Sequence, residues 1–170
     1  MPEIAATVTM KGNSVTLVGN DVQVGQPAPD CTLIAGDLSE FQLSSLNGKK
    51  VILSIVPSLD TPVCDLQTKR FNNEAAQLGG DVAVVTISMD LPFAQKRWCG
   101  ATGSGQIRTL SDYRDAAFGE TYGVLMKGLR LLARAVFVVD AKGILRNKQI
   151  VSEITNEPDY DEVLKAVKKL

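Results

Sequence analysis

The sequence contains no histidine, and this absence excludes more chemistry than any other feature of its composition. Without an imidazole the chain has no Cys-His or Ser-His-Asp machinery and no histidine-ligated metal site. A reactive thiol in this chain therefore needs another means of activation. We expect neither a metal ion nor an organic cofactor.

An excess of charge of one sign and long apolar runs are also missing. The formal net charge is −1, and the lysines and arginines are scattered among acids, which leaves no basic surface for nucleic acid. The start Met1-Pro2-Glu3 has no basic segment, and no apolar run reaches the length of a signal peptide or a membrane span. The sequence predicts a cytoplasmic protein without nucleic-acid or membrane partners.

Cysteine is sparse as well. The three cysteines, Cys31, Cys64 and Cys99, are too widely spaced for a zinc ribbon. In a reducing compartment such cysteines are catalytic, redox-active or simply buried, rather than joined in structural disulfides. A chain of 170 residues with 45% hydrophobic content can bury a stable core without disulfide bonds.

The order of predicted elements describes one α/β domain over residues 1–170. Alternating residues around Lys11–Ser14 predict an N-terminal β-hairpin at about 7–18, and the apolar run Val51–Val56 predicts a central strand buried on both faces. The whole pattern indicates a mixed sheet with helices on both faces. The further expected strands are near 31–35, 40–43, 81–88, 107–110, 134–140 and 144–151, with helices near 62–78, 91–99, 115–121 and 158–170 and a loop at 100–105.

Cys64 is the best candidate for a reactive residue. Thr61 is a favoured N-cap residue and Pro62 a favoured first helical residue, so Cys64 falls in the first helical turn. Free backbone N–H groups and the helix dipole favour a thiolate there, beyond the carboxyl end of a central strand. The alternative is a small buried cysteine that only packs under the helix.

An arginine is expected beside this thiolate. About 3% of an ordinary cysteine is ionised at neutral pH, so ionisation gains only about 30-fold in rate, and the rest must come from hydrogen-bond donors aimed at the reacting atoms. Arg134 is the best candidate because it begins an apolar strand and must face a polar site or the end of the sheet. Arg130 and Arg70 are competing candidates, and a solvated strand-end cation is the alternative for Arg134.

These residues resemble the active site of the peroxiredoxin family. Pro57-x-x-x-Thr61-x-x-Cys64 matches the family motif, and the full segment is similar to the form found in the atypical two-cysteine branch, the thiol peroxidases. Three further segments are similar to signatures of that branch, and together they extend the resemblance over almost the whole chain: Asp90–Gly100, Leu132–Ala135 and Glu153–Tyr160.

The resemblance implies a thioredoxin-like fold and a peroxidase that reduces hydrogen peroxide and organic hydroperoxides. It implies that Cys64 attacks the peroxide and that Cys99 resolves the oxidised sulfur in an intramolecular disulfide. It further implies that Thr61 orients a hydroxyl toward thiolate and peroxide, that Pro57 shields the sulfur, and that Arg134 is the arginine of the site. Thioredoxin or a similar dithiol would be the reductant, and the assembly would be a homodimer.

The implied disulfide requires Cys64 and Cys99 to move toward each other. Cys64 and Cys99 lie on different predicted helices, at positions whose Cα atoms rarely come within the reach of a disulfide. We therefore expect local unfolding at the helix start Thr61–Cys64 and at the glycine-rich stretch 100–105. Cys31 is expected to be a buried structural thiol in a strand, and Trp98 a packing or interface residue.

Two alternative functions stay open. A redox sensor or binding module on a thioredoxin-like scaffold would switch a partner surface without turnover, but such a switch does not need the combination of Thr61 and Arg134. A thiol-disulfide oxidoreductase is the second alternative, and it is weakened by the missing CxxC motif.

Overall fold

The chain is built around a seven-stranded mixed sheet and a smaller three-stranded sheet. The computed structural model describes residues 1–102 and 108–170, apart from the side chain of Ala5. Its strands are β1 Glu3–Met10, β2 Asn13–Val18, β3 Thr32–Ile34, β4 Glu40–Gln42, β5 Lys50–Ile55, β6 Val82–Ser88, β7 Arg108–Ser111, β8 Leu125–Met126, β9 Ala135–Val139 and β10 Leu145–Ile150. Its α-helices are α1 Pro62–Leu78, α2 Pro92–Thr102, α3 Ala117–Tyr122 and α4 Tyr160–Lys168, with a 3-10 turn at Leu43–Leu46.

The large sheet has the order β10-β9-β5-β6-β7-β3-β4. Strands β5, β6 and β7 are parallel, whereas β9 pairs antiparallel with β5 and β10 with β9. The apolar residues of β5 are buried on both faces of the sheet, as the unbroken run predicted. This mixed sheet confirms the predicted α/β class.

Alternate residues of the central strands pack into two separate cores. Ile52 and Val136 face Phe71 of α1 and Val163 of α4 on one side of the sheet. The opposite side packs against α3 and the N-terminal hairpin. The prediction of helices on both faces is therefore confirmed.

The N-terminal hairpin turns through two residues with positive φ, Lys11 at 50° and Gly12 at 79°. Positive φ at both central positions defines the type I′ turn, whose twist matches that of paired strands. Strand β1 begins at Glu3, before the predicted 7–18, and β2 also pairs with β8, which the sequence pattern did not indicate.

The turn before α3 is organised by a buried carboxyl group. Asp112 is 3% exposed and accepts hydrogen bonds from the backbone amides of Phe118 and Gly119, each at 2.9 Å. Burial is the largest influence and raises the pKa of Asp112 to about 6, although the two amides favour the ionised form. This group therefore gives the fold a titration in the mildly acidic range.

Some predicted boundaries were wrong. Helix α2 continues to Thr102, so residues 100–102 are helical rather than loop, and the rest of the predicted 100–105 loop lies outside the described residues, as does Ile107. Strand β9 begins at Ala135 and β3 at Thr32, which places Arg134 and Cys31 just before their strands. Within residues 1–102 and 108–170, no helix combines the length and apolar character that crossing a bilayer requires.

The strand register brings distant segments to one edge of the sheet. Ile55, the last residue of β5, pairs with Ala135, the first residue of β9. Ala135 in turn pairs with Ile150, at the end of β10. The start of α1, the residue before β9 and the segment after β10 therefore meet at this edge.

Candidate active site

Cys64 lies in the first turn of α1, where the sequence placed it. Thr61 occupies the N-cap with extended dihedrals and Pro62 follows as the first helical residue. The Asp65 amide donates to the Thr61 carbonyl at 2.9 Å, so the earlier amides of Val63 and Cys64 have no acceptor within the helix. These amides provide the positive end of the helix dipole beside the sulfur.

The Thr61 hydroxyl does not cap the helix. Its Oγ1 donates to the Ser58 carbonyl at 3.0 Å, and it makes no side-chain capping bond. The N-cap position was therefore predicted correctly, but its hydroxyl stabilises the preceding loop instead of the first helical turn. With its proton engaged, this hydroxyl can offer only lone pairs to a further partner.

Arg134 reaches the Cys64 sulfur from the other side. Its Nη2 lies 3.3 Å from Cys64 Sγ, its Nη1 donates to Gln67 Oε1 at 2.9 Å and its Nε donates to the Ile154 carbonyl at 2.7 Å. Because β9 starts directly after Arg134, the register described above delivers this side chain to the start of α1. Each of the three guanidinium nitrogens therefore has a partner.

The surroundings of Arg134 favour an anion on the sulfur. Arg134 is 2% exposed and Cys64 is fully buried. No carboxylate in the described parts of the chain lies within ion-pair distance of Arg134, whose partners are an amide, a carbonyl and the thiol. A buried cation is costly without a negative partner, and the Cys64 thiolate is the one contacting group that can supply that charge.

The two competing arginines lie elsewhere. Arg70 is on the exposed side of α1, where it pairs with Glu74 at 3.0 Å and stacks over the Tyr160 ring. Arg130 is exposed and has a positive φ of 57°. Only Arg134, of the three candidate arginines, contacts Cys64.

Gln67 is a site residue that the sequence analysis missed. It is fully buried one turn after Cys64, and while its Oε1 accepts from Arg134, its Nε2 donates to Ser54 Oγ at 2.8 Å. The amide therefore connects the guanidinium to the central strand β5. Its position three residues after Cys64, on the same face of the helix, is the sequence signal that could have identified it.

The loop before Cys64 is anchored by Asp90. Its carboxylate accepts from Ser58 Oγ at 2.7 Å, from the Leu59 amide at 2.8 Å and from Ser88 Oγ at 2.7 Å. Pro57, which begins this loop, is buried. The three bonds tie the loop to the end of β6.

Trp98 covers the sulfur together with two aliphatic residues. Val56, Leu59 and Cys64 form a small buried cluster on which Trp98 packs. The indole Nε1 donates to Asp65 Oδ1 at 2.9 Å, which joins α2 to the first turn of α1. The packing role expected for Trp98 is confirmed.

A cavity of about 380 Å³ adjoins this cluster. Its walls include Leu59 and Trp98, both of which cover Cys64, although Cys64 itself does not line the cavity. Since Cys64 is fully buried, a peroxide can reach its sulfur only after neighbouring side chains move. The other lining residues are Asp60, Asp90, Ala94, Arg97 and Ala101.

Cys99 lies near the end of α2 and is not bonded to Cys64. Both cysteines are free thiols, and Cys99 Sγ lies 3.7 Å from Thr109 Oγ1 of β7. The middle of α2 is anchored by Gln95, whose Nε2 donates to the Leu110 carbonyl at 2.8 Å. Gln95 therefore ties α2 to β7 one turn before Cys99.

Cys31 differs from its predicted state in two respects. It precedes β3 and is partly rather than fully buried, although it packs against the main core. Burial, followed by the charge of Asp112, raises the pKa of its thiol to about 12. Such a thiol is protonated at neutral pH and unsuited to nucleophilic attack.

Within 1–102 and 108–170, no three or more cysteine, aspartate or glutamate side chains are grouped so that they could hold a metal ion.

Comparison with known proteins gives related sequences over nearly the whole chain. The Redoxin family profile matches residues 23–164. A thiol peroxidase of Bacillus subtilis (strain 168) is 55% identical over 165 residues, which cover 97% of this chain and 98% of the relative.

Two solved structures share the fold. The crystal structure of a peroxiredoxin-like protein from Aquifex aeolicus superposes with a TM-score of 0.90 at 44% identity, covering 99% of each chain. A thiol peroxidase from Chromobacterium violaceum has a TM-score of 0.87 at 19% identity and covers 98% of this chain and 97% of its own. At that identity the second match supports the fold alone.

Proposed function

Because the chain belongs to the redoxin family, and within it to the thiol peroxidases, we propose that this thiol-dependent peroxidase reduces hydroperoxides at the Cys64 sulfur. The observation that carries the assignment to Cys64 is its 3.3 Å contact with Arg134 in a buried site, where no described carboxylate competes for the guanidinium. The fold alone would not identify the reactive residue, because a thioredoxin-like scaffold supports several functions.

The first chemical step is an in-line displacement at oxygen. The Cys64 thiolate attacks the terminal, hydrogen-bearing oxygen of ROOH, an S–O bond forms, the O–O bond breaks, and the leaving RO⁻ takes a proton from solvent to become ROH. Cysteine is oxidised to sulfenic acid while the peroxide is reduced. Negative charge moves from sulfur to the leaving oxygen during this step, so hydrogen-bond donors placed at the oxygens lower the barrier.

Arg134 is the proposed donor, and Thr61 the proposed acceptor. The guanidinium contacts the sulfur through Nη2, so a peroxide bound at that sulfur comes within hydrogen-bond reach of the guanidinium N–H groups. The Thr61 hydroxyl donates to the Ser58 carbonyl and can therefore accept the O–H of a bound hydroperoxide. Pro57, buried at the start of the same loop, would limit water at the sulfur.

Cys99 is the proposed resolving residue. Its thiol condenses with the Cys64 sulfenic acid, an S–S bond forms, the S–O bond breaks and water leaves. Since Cys99 faces Thr109 in the reduced protein, the last turn of α2 must unwind, together with the first turn of α1. The Gln95 anchor supports an opening that begins after the middle of α2.

A dithiol completes the cycle. Two electrons from thioredoxin or a similar dithiol reduce the Cys64–Cys99 disulfide back to two thiols. A homodimer, which the resemblance implies, and the cytoplasmic location predicted from the sequence are further proposals. A non-catalytic redox sensor is not favoured, because the relatives that match over nearly the whole chain are thiol peroxidases.

One experiment separates the proposed cycle from its alternatives. Reduced protein receives one equivalent of hydrogen peroxide, and its peptides are mapped without reduction, while a second sample is assayed for turnover with thioredoxin, thioredoxin reductase and NADPH. We expect a Cys64–Cys99 linked peptide within one chain and continuous NADPH oxidation. Cys31→Ser serves as the matched cysteine control and should behave like the wild type.

The contrary outcomes are distinct. A Cys64–Cys31 peptide, or a disulfide between chains, would contradict the intramolecular step but not the attack by Cys64. Formation of the disulfide without NADPH oxidation would favour a sensor. Comparison of hydrogen peroxide with an organic hydroperoxide in the same assay then defines the preferred substrate.

A further inference from the structure

A set of hydrogen bonds connects the N-terminal hairpin to the arginine at the active-site sulfur. The segment 152–155 follows β10 and lies between the two. Its Ile154 carbonyl accepts the 2.7 Å bond from Arg134 Nε. On the hairpin side, the Thr9 amide donates to the Ser152 carbonyl at 2.7 Å and the Ile154 amide donates to the Thr9 carbonyl at 2.9 Å. The acceptor of Arg134 is thus a backbone group whose own position depends on the hairpin.

The Glu153 carboxylate fastens this connection. Its Oε1 accepts from the Gly12 amide at 2.8 Å and from the Thr9 hydroxyl at 3.0 Å. Its Oε2 accepts from the Thr155 amide at 2.9 Å, the Thr155 hydroxyl at 2.7 Å and the Lys11 amide at 3.2 Å. The bonds from Thr155 are the main cause that lowers the pKa of Glu153 to about 2, so the carboxylate stays ionised at neutral pH. Both oxygens are committed to the hairpin turn and to the segment itself.

We propose that Glu153 is a positioning residue for peroxide reduction, which holds the Ile154 carbonyl in place and through it the Arg134 guanidinium on Cys64. The inference rests on the proposed function of Cys64 and Arg134. It makes the N-terminal hairpin part of the catalytic apparatus, although Thr9 and Glu153 themselves make no hydrogen bond to either residue among the bonds described for residues 1–102 and 108–170.

The physical reason lies in how few contacts fix the guanidinium. Apart from the sulfur, the Arg134 guanidinium has two hydrogen-bond acceptors among residues 1–102 and 108–170, Gln67 on α1 and the Ile154 carbonyl. If the Ile154 carbonyl shifts, Arg134 Nε loses its acceptor, and the guanidinium can then rotate about its remaining hydrogen bond to Gln67. Displacements of about 1 Å between catalytic groups can cost on the order of 100-fold in rate, so even a partial shift is measurable.

Glu153→Gln is the diagnostic substitution. Its amide nitrogen cannot accept a hydrogen bond, so whichever oxygen it replaces, at least two of the five donors lose their acceptor. We expect the second-order rate constant for Cys64 oxidation by hydrogen peroxide to fall about tenfold, on the scale of losing one well-placed support. Glu157→Gln is the matched control, because it makes the same charge change four residues away, where the exposed carboxylate accepts from the Tyr160 hydroxyl at 2.9 Å.

A double-mutant cycle with Arg134→Ala distinguishes positioning from general destabilisation. If Glu153 acts through Arg134, Glu153→Gln should have no further effect on the rate once Arg134 is Ala, because no guanidinium remains to be positioned. An equal loss in both backgrounds, or no loss in the wild-type background, would overturn the proposal. If Arg134→Ala itself left the rate unchanged, the proposed function of Arg134 would fail instead, which is a different result.

Thr9→Val keeps the test available if Glu153→Gln does not fold. Valine preserves the branched shape and the backbone bonds of Thr9 but removes the hydroxyl that donates to Glu153. The rate constant should fall in the same direction by a smaller factor, about threefold, and again only when Arg134 is present. An unchanged rate constant in a folded Thr9→Val protein, or the same loss without Arg134, would contradict the role given to the hairpin.

Discussion

Replacement of Arg134 separates two effects that the site combines. Arg134 can stabilise the Cys64 thiolate before peroxide arrives, and it can donate hydrogen bonds to the peroxide oxygens while the O–O bond breaks. The first effect has a ceiling, because about 3% of an ordinary cysteine is already thiolate at neutral pH, so full ionisation gains about 30-fold, or about 2 kcal/mol. The second effect acts in a water-excluded site, where loss of one well-placed donor costs about 100- to 1,000-fold.

The expected magnitudes follow from the geometry. Arg134 is 2% exposed and contacts the sulfur at 3.3 Å, so no water substitutes for it without rearrangement. At pH 7, Arg134→Ala should lower the peroxide rate constant by about 3,000- to 30,000-fold, because the two effects multiply and both are lost. At pH 10, where an ordinary cysteine is ionised, the deficit should shrink to about 100- to 1,000-fold and remain there.

Stopped-flow measurement of Trp98 fluorescence gives the rate constant, because the indole packs on the Cys64 cluster. Alkylation of Cys64 by iodoacetamide, measured in parallel, reports the thiolate without any O–O bond. Arg134→Lys should retain more alkylation than peroxide reactivity, since a lysine supplies charge but not the planar fork. Arg70→Ala is the matched control on the exposed face of α1. Recovery of full peroxide reactivity by Arg134→Ala at pH 10 would refute the donor role.

Three further predictions concern other parts of the site and fold. Gln67→Leu should lower the peroxide rate constant about tenfold, because Arg134 Nη1 loses its acceptor, and stopped-flow kinetics would detect this. Cys99→Ser should react once with peroxide at a near-normal rate but lose thioredoxin-dependent turnover and accumulate over-oxidised Cys64 in mass spectra, unlike Cys31→Ser. Asp112 has a pKa of about 6 in the fold, above its unfolded value. Its protonated form therefore adds on the order of 3 kcal/mol to the free energy of unfolding below about pH 4, and this contribution is lost as pH rises through 6. Urea titrations from pH 4 to 7 should show this decline in the wild type but not in Asp112→Asn. The same pH dependence of the free energy of unfolding in both proteins would contradict it.

Sequence reasoning worked best where the determinants are local. The start of α1 was predicted because Thr61-Pro62 fixes a helix start through the residues themselves. The hairpin was likewise predicted from the alternating residues around Lys11–Ser14, although the positive φ angles fall at Lys11 and Gly12. The end of α2 was predicted too early, since the cost of Gly100 in a helix is only about 1 kcal/mol, which the continuing helix overcomes.

The contacts that complete the site depend on tertiary register, which no local pattern contains. The Ile154 carbonyl reaches Arg134 because β10 pairs with β9 in a particular register. Gln67 becomes a site residue only because β9 lies beside β5 and so brings Arg134 to α1. Trp98 was expected to pack, but its place over the Cys64 cluster follows from how α2 docks on the sheet. Distances among these residues could therefore not be predicted from spacing.

The central claim is that Cys64 is the sulfur that breaks the O–O bond. Its most direct test is the rate of hydrogen peroxide consumption by Cys64→Ser, compared with that of the wild type under the same supply of reduced thioredoxin. A serine hydroxyl is too weakly acidic to replace a thiolate in this site, so consumption should fall to the level measured without protein. Substantial turnover by the folded Cys64→Ser protein would contradict the account.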